Sequence, residues 1–268
     1  MKVVILAGGF GARISEESHL KPKPMIEIGN LPILWHIMKI YSYYGFDEFI
    51  ICCGYKGYMI KEYFANYYLH NSDVTFDFAS ENKMVIHNNI AEPWKVTLVD
   101  TGLNTATGGR IGRIEKYIEE DLFMLTYGDG VSNVNINKLL NFYKKHKKIA
   151  IITAVQPGAR FGNVEFKKNN VTVDFVEKRK ENGGWINGGF MVLNRKVFDY
   201  IKKGDKTIFE KDVLEKLSKE NQLAAYKHTG FWQCLDTMRD KILLDKLFES
   251  GKAPWMIWEK RRAGYPDV

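Results

Sequence analysis

Leu6, Ala7, Gly8, Gly9, Phe10, Gly11, Ala12 and Arg13 follow directly on the apolar run Val3-Val-Ile-Leu6, and Lys21-Pro-Lys-Pro-Met25 comes shortly after them. A short run without polar alternation reads as a strand buried on both faces, so the glycines fall where that strand ends and the chain must turn. Glycine lacks a Cβ, which allows positive φ and lets an anion approach the main-chain amides closely, the physics of a phosphate cradle. Arg13 and Lys23 bring fixed positive charge to the same place. A guanidinium fork can hold two oxygens of an anionic group at once. Without those cations, Gly-Gly-x-Gly would indicate no more than a tight strand-to-helix turn.

Two carboxylates are the next candidates. Asp129 stands between Gly128 and Gly130, just past the apolar run Leu122-Phe-Met-Leu-Thr-Tyr127, where packing gives no reason for a charge, although aspartate is also common in turns. Asp236, in Trp232-Gln-Cys-Leu-Asp-Thr237, could equally cap a helix starting near Met238.

The elements that must position these residues are legible as alternating strands and helices. Pro32 and Gly45 bracket a helical pattern, and 48–53, 122–127 and 149–155 read as buried strands. Helices are expected over 58–69, 109–118, 136–146, 209–219 and 238–250, with further strands at 74–78, 84–87, 96–100, 163–166, 171–176, 185–193 and 223–226. This succession predicts an α/β fold, a Rossmann-like open sheet, mixed but mostly parallel, with helices on both faces and a strand-rich C-terminal half. Ligands of such sheets lie beyond the carboxyl ends of the strands, where both the glycine loop and Asp129 fall. With no linker or repeat, residues 1–268 read as one domain. Within it, 1–155 carry the glycine loop and Asp129, and 156–268 form a strand-rich half with an apolar tail that packs on the core or on another subunit.

Composition narrows the function. The chain of 268 residues has 45% hydrophobic and 26% charged residues, enough for a substantial globular core. Its net charge of +7 is scattered, with dense basic groups only at 144–148, 178–180 and 260–262, which reads as solvated surface and argues against nucleic acid as a partner. Three cysteines, two of them adjacent, form neither a disulfide framework nor a metal site of known spacing, so a reducing cytoplasm is expected. The first apolar run stops at Gly8, too short for a signal peptide, and no stretch is long enough to span a membrane.

Leu-Ala-Gly-Gly-x-Gly-x-Arg followed by Lys-Pro-Lys-Pro-Met resembles the signature of the sugar-phosphate nucleotidyltransferase family. Further motifs extend the likeness over nearly the whole chain: Trp35-His-Ile-Met38, Cys52-Cys-Gly-Tyr-Lys-Gly57, Glu92-Pro-Trp94, Val99-Asp-Thr-Gly102, Thr107-Gly-Gly-Arg110, Tyr127-Gly-Asp-Gly130, Ile186-Asn-Gly-Gly189 and Gly230-Phe-Trp-Gln233. The later ones are similar to the cytidylyl branch. The resemblance implies transfer of a cytidylyl group from CTP to α-D-glucose 1-phosphate, with Mg2+ as cofactor. It also implies a homo-oligomer, and a product destined for bacterial surface polysaccharide such as the O-antigen of lipopolysaccharide. It gives Lys23 the attacking phosphate and the α-phosphate, makes Asp129 and Asp236 the metal ligands, and leaves Lys21 in solvent. Thr105, Gly109 and Arg110 are expected near the cytosine, with Glu177, Lys178, Asn187 and Gly188 around the hexose phosphate. UTP or a deoxythymidine nucleotide remains an alternative donor, as does a non-catalytic sensing subunit on the same fold. A glycosyltransferase would need an Asp-x-Asp motif, which Gly128-Asp-Gly130 is not.

Overall fold

The computed structural model describes residues 1–11, 14–79, 83–156, 163–166, 173–176 and 184–262. In the first half the chain runs through β1 (Val3–Leu6), α1 (Ser15–Ser18), β2 (Glu27–Ile28), β3 (Leu31–Pro32), α2 (Ile33–Tyr43), β4 (Glu48–Cys53), α3 (Gly57–His70), β5 (Ser72–Asp77), β6 (Lys83–Asn89), β7 (Lys95–Asp100), α4 (Thr107–Arg113), β8 (Leu122–Tyr127), β9 (Gly130–Ser132) and α5 (Ile136–His146). The second half adds β10 (Ala150–Val155), β11 (Asn163–Phe166), β12 (Val173–Val176), β13 (Ile186–Asn187), β14 (Met191–Asn194), α6 (Glu215–Lys219), β15 (Leu223–Lys227), β16 (Trp232–Cys234), α7 (Met238–Glu249) and α8 (Ile257–Arg262).

Strands β8, β1, β4 and β7 pair in parallel, and β15 pairs parallel with β10. The antiparallel stretch β13–β14 lies between β10 and β8, which makes the eight-stranded sheet mixed and mostly parallel, as expected. That stretch is one strand, expected over 185–193, interrupted by a bulge: Gly189 and Phe190 have φ of 75° and 46°, and Thr153 spans the break by bonding to Gly188 and Gly189. Side chains of β1 alternate between the two faces. Val3 and Ile5 join α2, α5 and Trp255 on one side, while Val4 and Leu6 join α4 and α6 on the other.

Several expected elements have different ends. The helix expected over 109–118 starts at Thr107, stops at Arg113 and gives way to a 3₁₀ turn, Glu115–Tyr117. The one expected over 209–219 opens instead as a π-helix, Phe209–Leu214, before α6. β5 and β6 pair only with each other, a ribbon outside the main sheet. The tail docks on the chain's own core: Trp255 is fully buried, stacks on Phe231 and donates its indole N–H to His36 Nδ1 at 3.3 Å. No helix among the described residues is long and apolar enough to cross a membrane.

Candidate active site

At the carboxyl ends of β1 and β8 lies a cleft of about 700 Å3. One wall is the glycine loop from Leu6 to Gly11, another is 103–107 with Arg110, and the floor is Lys23, Pro24, Tyr127, Gly128, Asp129 and Asp236. The parallel ladder sets the floor: Leu6 lies opposite Tyr127, and Gly128 N donates to Leu6 O at 2.9 Å. Gly128 has no room for a side chain, since a Cβ would come within 2.8 Å of Leu6 O and 3.0 Å of Pro24. Gly9 is the opposite case. A Cβ there would meet nothing within 4 Å, so its openness serves the cleft rather than internal packing.

The two carboxylates meet through a second, small ladder. β9 runs antiparallel to β16 with Gly130 opposite Cys234, and Leu235 N donates to Asp129 O at 2.7 Å, which fixes Asp236 beside Asp129. Asp236 is not the helix cap: Thr237 caps α7 in a box with Asp240, leaving the Asp236 carboxylate to face the cleft. Lys23 stands between the two, its Nζ 2.5 Å from Asp129 Oδ2 and 2.5 Å from Asp236 Oδ1. Pro22 and Pro24 hold it in a short 3₁₀ turn at the lip of the glycine loop. Burial disfavours its charge, but the two carboxylates outweigh burial and raise its pKa above that of an ordinary lysine.

Arg110 is buried and makes five hydrogen bonds inside the protein. Nη1 donates to Thr101 Oγ1 at 2.8 Å, Gly102 O at 2.7 Å and Cys53 O at 3.3 Å, and Nη2 to Gly8 O at 3.0 Å and Leu103 O at 3.2 Å. Its charge is therefore met by carbonyl dipoles of three segments, the glycine loop, the end of β4 and the 101–103 turn.

Against this geometry, a family model described as nucleotidyl transferase matches residues 2–242. The chain belongs to the nucleotidyl transferase family. Glucose-1-phosphate cytidylyltransferase of Salmonella typhimurium is 55% identical, over 97% of this chain and 100% of that protein. A probable glucose-1-phosphate cytidylyltransferase of Bacillus subtilis is 42% identical, over 96% and 100%. Among solved structures, HddC from Yersinia pseudotuberculosis superposes with a TM-score of 0.72 at 25% identity, covering 92% of this chain and 99% of that one.

In this nucleotidyl transferase the cleft gathers Leu6, Ala7, Gly8, Gly9, Phe10, Gly11, Lys23, Thr105, Arg110, Asp129 and Asp236 from the expected set. Gly109 is buried behind the wall: its amide donates to Thr207 O, and a Cβ would strike Asp205. Asn187 and Gly188 sit behind Tyr127, Asn187 donating to the Tyr127 hydroxyl and Gly188 O accepting from the Trp232 indole. Ala12, Arg13, Glu177 and Lys178 lie outside the described residues. Sequence reasoning passed over Leu103, Asn104 and Glu210. Residues 103 and 104 carry no pattern, but their place just before the Thr105 to Arg110 segment could have flagged them. Glu210 bonds the hydroxyls of two cleft-lining residues, Tyr127 and Thr107, and inside a charged helical run nothing distinguishes it from a solvent-facing glutamate.

Proposed function

We propose that the chain joins CTP to α-D-glucose 1-phosphate, giving CDP-glucose and pyrophosphate. The observation that carries this reading is 55% identity along the whole length of a glucose-1-phosphate cytidylyltransferase, in a chain whose cleft unites Lys23 with Asp129 and Asp236. A phosphate oxygen of the sugar attacks the α-phosphorus, and the bond from that phosphorus to the bridging oxygen of pyrophosphate breaks in line. Little covalent chemistry is asked of the protein; it supplies position and charge.

Lys23 neutralises the attacking phosphate and the α-phosphate, which it reaches by leaving its carboxylate partners. Main-chain amides of Gly8 to Gly11 cradle the departing phosphates, joined by Arg13. Two carboxylates with no group of three or more His, Cys, Asp or Glu among the described residues make a sparse, hard donor set. That suits magnesium, which keeps waters and takes phosphate oxygens as ligands. Asp129 and Asp236 would hold the ion, which when bound offsets charge on the attacking and leaving oxygens. Thr105 faces the base, Arg110 frames its wall, and Glu177, Lys178, Asn187 and Gly188 shape the hexose end.

The protein works as a homo-oligomer in the cytoplasm, supplying CDP-sugar for surface polysaccharide such as O-antigen. Support for assembly is the β5–β6 ribbon, which leaves Phe76, Phe78, Met84, Val85 and Ile90 exposed, Phe78 at 81%. A two-stranded ribbon is marginal in water without cover, and a second copy provides it.

Pyrophosphate release with glucose 1-phosphate and each of CTP, UTP and dTTP tests the reading. CTP should give the highest kcat/KM; a higher value for another triphosphate would overturn the choice of donor.

A further inference from the structure

Glu210 accepts the Tyr127 hydroxyl on Oε1 at 2.6 Å and the Thr107 hydroxyl on Oε2 at 2.7 Å. Both hydroxyls belong to residues that line the cleft, Thr107 on the α4 wall and Tyr127 on the floor at the end of β8. The polarity of the network is fixed from outside. Phe209 N donates to Thr107 Oγ1 at 2.9 Å and Asn187 Nδ2 to the Tyr127 hydroxyl at 3.2 Å, so each hydroxyl accepts from one side and delivers its proton to Glu210. Burial first, and Glu210 next, push the Tyr127 phenol well above its usual range, which keeps that proton in place.

Two further observations separate this carboxylate from ordinary packing. Among the described residues Glu210 makes no ion pair, and both its oxygens are bonded to hydroxyls of residues that line a cleft proposed to receive two phosphate-bearing substrates. It also rides on the π-helix Phe209–Leu214, a wide turn frequently found at functional sites. Ile208 N closes onto Asp212 Oδ2 at 2.7 Å at the start of that turn, steadying the segment that carries Glu210.

We propose that Glu210 is a positioning residue that holds the nucleotide wall, through Thr107, and the hexose side, through Tyr127 and Asn187, in the arrangement that binds the two substrates. The inference rests on the proposed assignment of the cleft to a nucleoside triphosphate and a hexose 1-phosphate. A carboxylate is needed because both partners donate. Glutamine offers one acceptor oxygen and an amide that donates, so one of the two hydroxyls loses its acceptor while the shape of the side chain is kept.

The test compares Glu210→Gln, Tyr127→Phe and Thr107→Val, assayed with glucose 1-phosphate and whichever triphosphate the wild type turns over fastest. A preference other than CTP would then overturn the functional reading and leave this test standing. Glu210→Gln should raise KM roughly tenfold for the substrate on the side whose hydroxyl loses its acceptor, the size of one lost charge-assisted hydrogen bond, with kcat within about threefold and an unchanged melting temperature. Tyr127→Phe should raise KM for the sugar phosphate alone, and Thr107→Val for the triphosphate alone. Adding Glu210→Gln to the Tyr127→Phe/Thr107→Val pair should cost nothing more, because its bonds are already gone. The proposal is overturned if Glu210→Gln leaves both KM values unchanged, or if its effect persists undiminished in the pair.

Discussion

Replacing Arg110 by methionine keeps an unbranched side chain but removes the guanidinium and the five hydrogen bonds it donates. Three of the acceptors have other partners: Gly8 O also accepts from Tyr55 N, Cys53 O from Thr101 N and Thr101 Oγ1, and Thr101 Oγ1 is itself a donor to Cys53 O. The carbonyls of Gly102 and Leu103 depend on Arg110. A buried acceptor left without a donor costs about 1–3 kcal/mol, and these two lie close enough to solvent for water to relieve part of it. We expect a loss of about 2–3 kcal/mol, a fall in melting temperature of roughly 5–10 °C. Because the glycine loop loses one of its ties, KM for CTP and for UTP should rise together and their ratio of kcat/KM should hold. Differential scanning fluorimetry beside steady-state kinetics reads both quantities. A variant with wild-type melting temperature but lost CTP selectivity would refute this reasoning and return Arg110 to direct contact with the base.

Three other outcomes are expected. Lys23→Ala should lower turnover by about 10²–10³ in a folded protein, and should bind Mn2+ more tightly without nucleotide because its competitor for the two carboxylates is gone; calorimetry measures the second effect. Asp129→Asn and Asp236→Asn should each shift the magnesium dependence of the rate to higher concentrations, so titrations superposing on wild type would remove both from the metal site. His36, buried with its Nε2 facing Ile28 O and its Nδ1 taken by Trp255, has its pKa pushed down to about 4 by burial, against an ordinary value near 6.5. The unfolded chain therefore binds the proton first, so stability should decline as pH falls from about 6.5 to 4, by up to about 3 kcal/mol. His36→Gln should flatten the pH slope of the melting temperature in that window.

The strands and helices were legible where one physical rule decided them. Runs without alternation, such as Glu48–Cys53 and Leu122–Tyr127, are buried on both faces, and Pro32 and Gly45 bracket α2. The glycine loop was readable because its spacing encodes a local turn beside its own cations. What sequence could not carry is long-range complementarity. Gly108 and Gly109 look like a ligand loop but are small because 205–207 packs on α4, and Arg110 looks like an anion-binding cation but spends its donors on carbonyls of three distant segments. Asp236 was ambiguous because capping and cleft residues share a type; the capping box of Thr237 with Asp240 takes the cap, and the β9–β16 register brings Asp236 beside Asp129. The tail left two choices, core or partner, and Trp255 chose the core.

The same three-residue ladder bears on when activity can begin. It ties Asp129, near the middle of the chain, to Asp236, within its last eighth, and Lys23 to both. During synthesis the phosphate loop, Lys23 and Asp129 leave the ribosome long before β16 does. Until β16 emerges and lays itself along β9, the nascent chain has the glycine loop and Lys23 but only one of the two carboxylates. A ribosome-bound chain stalled before residue 232 should therefore be able to engage nucleotide yet remain silent, and competence should arrive late and in one step.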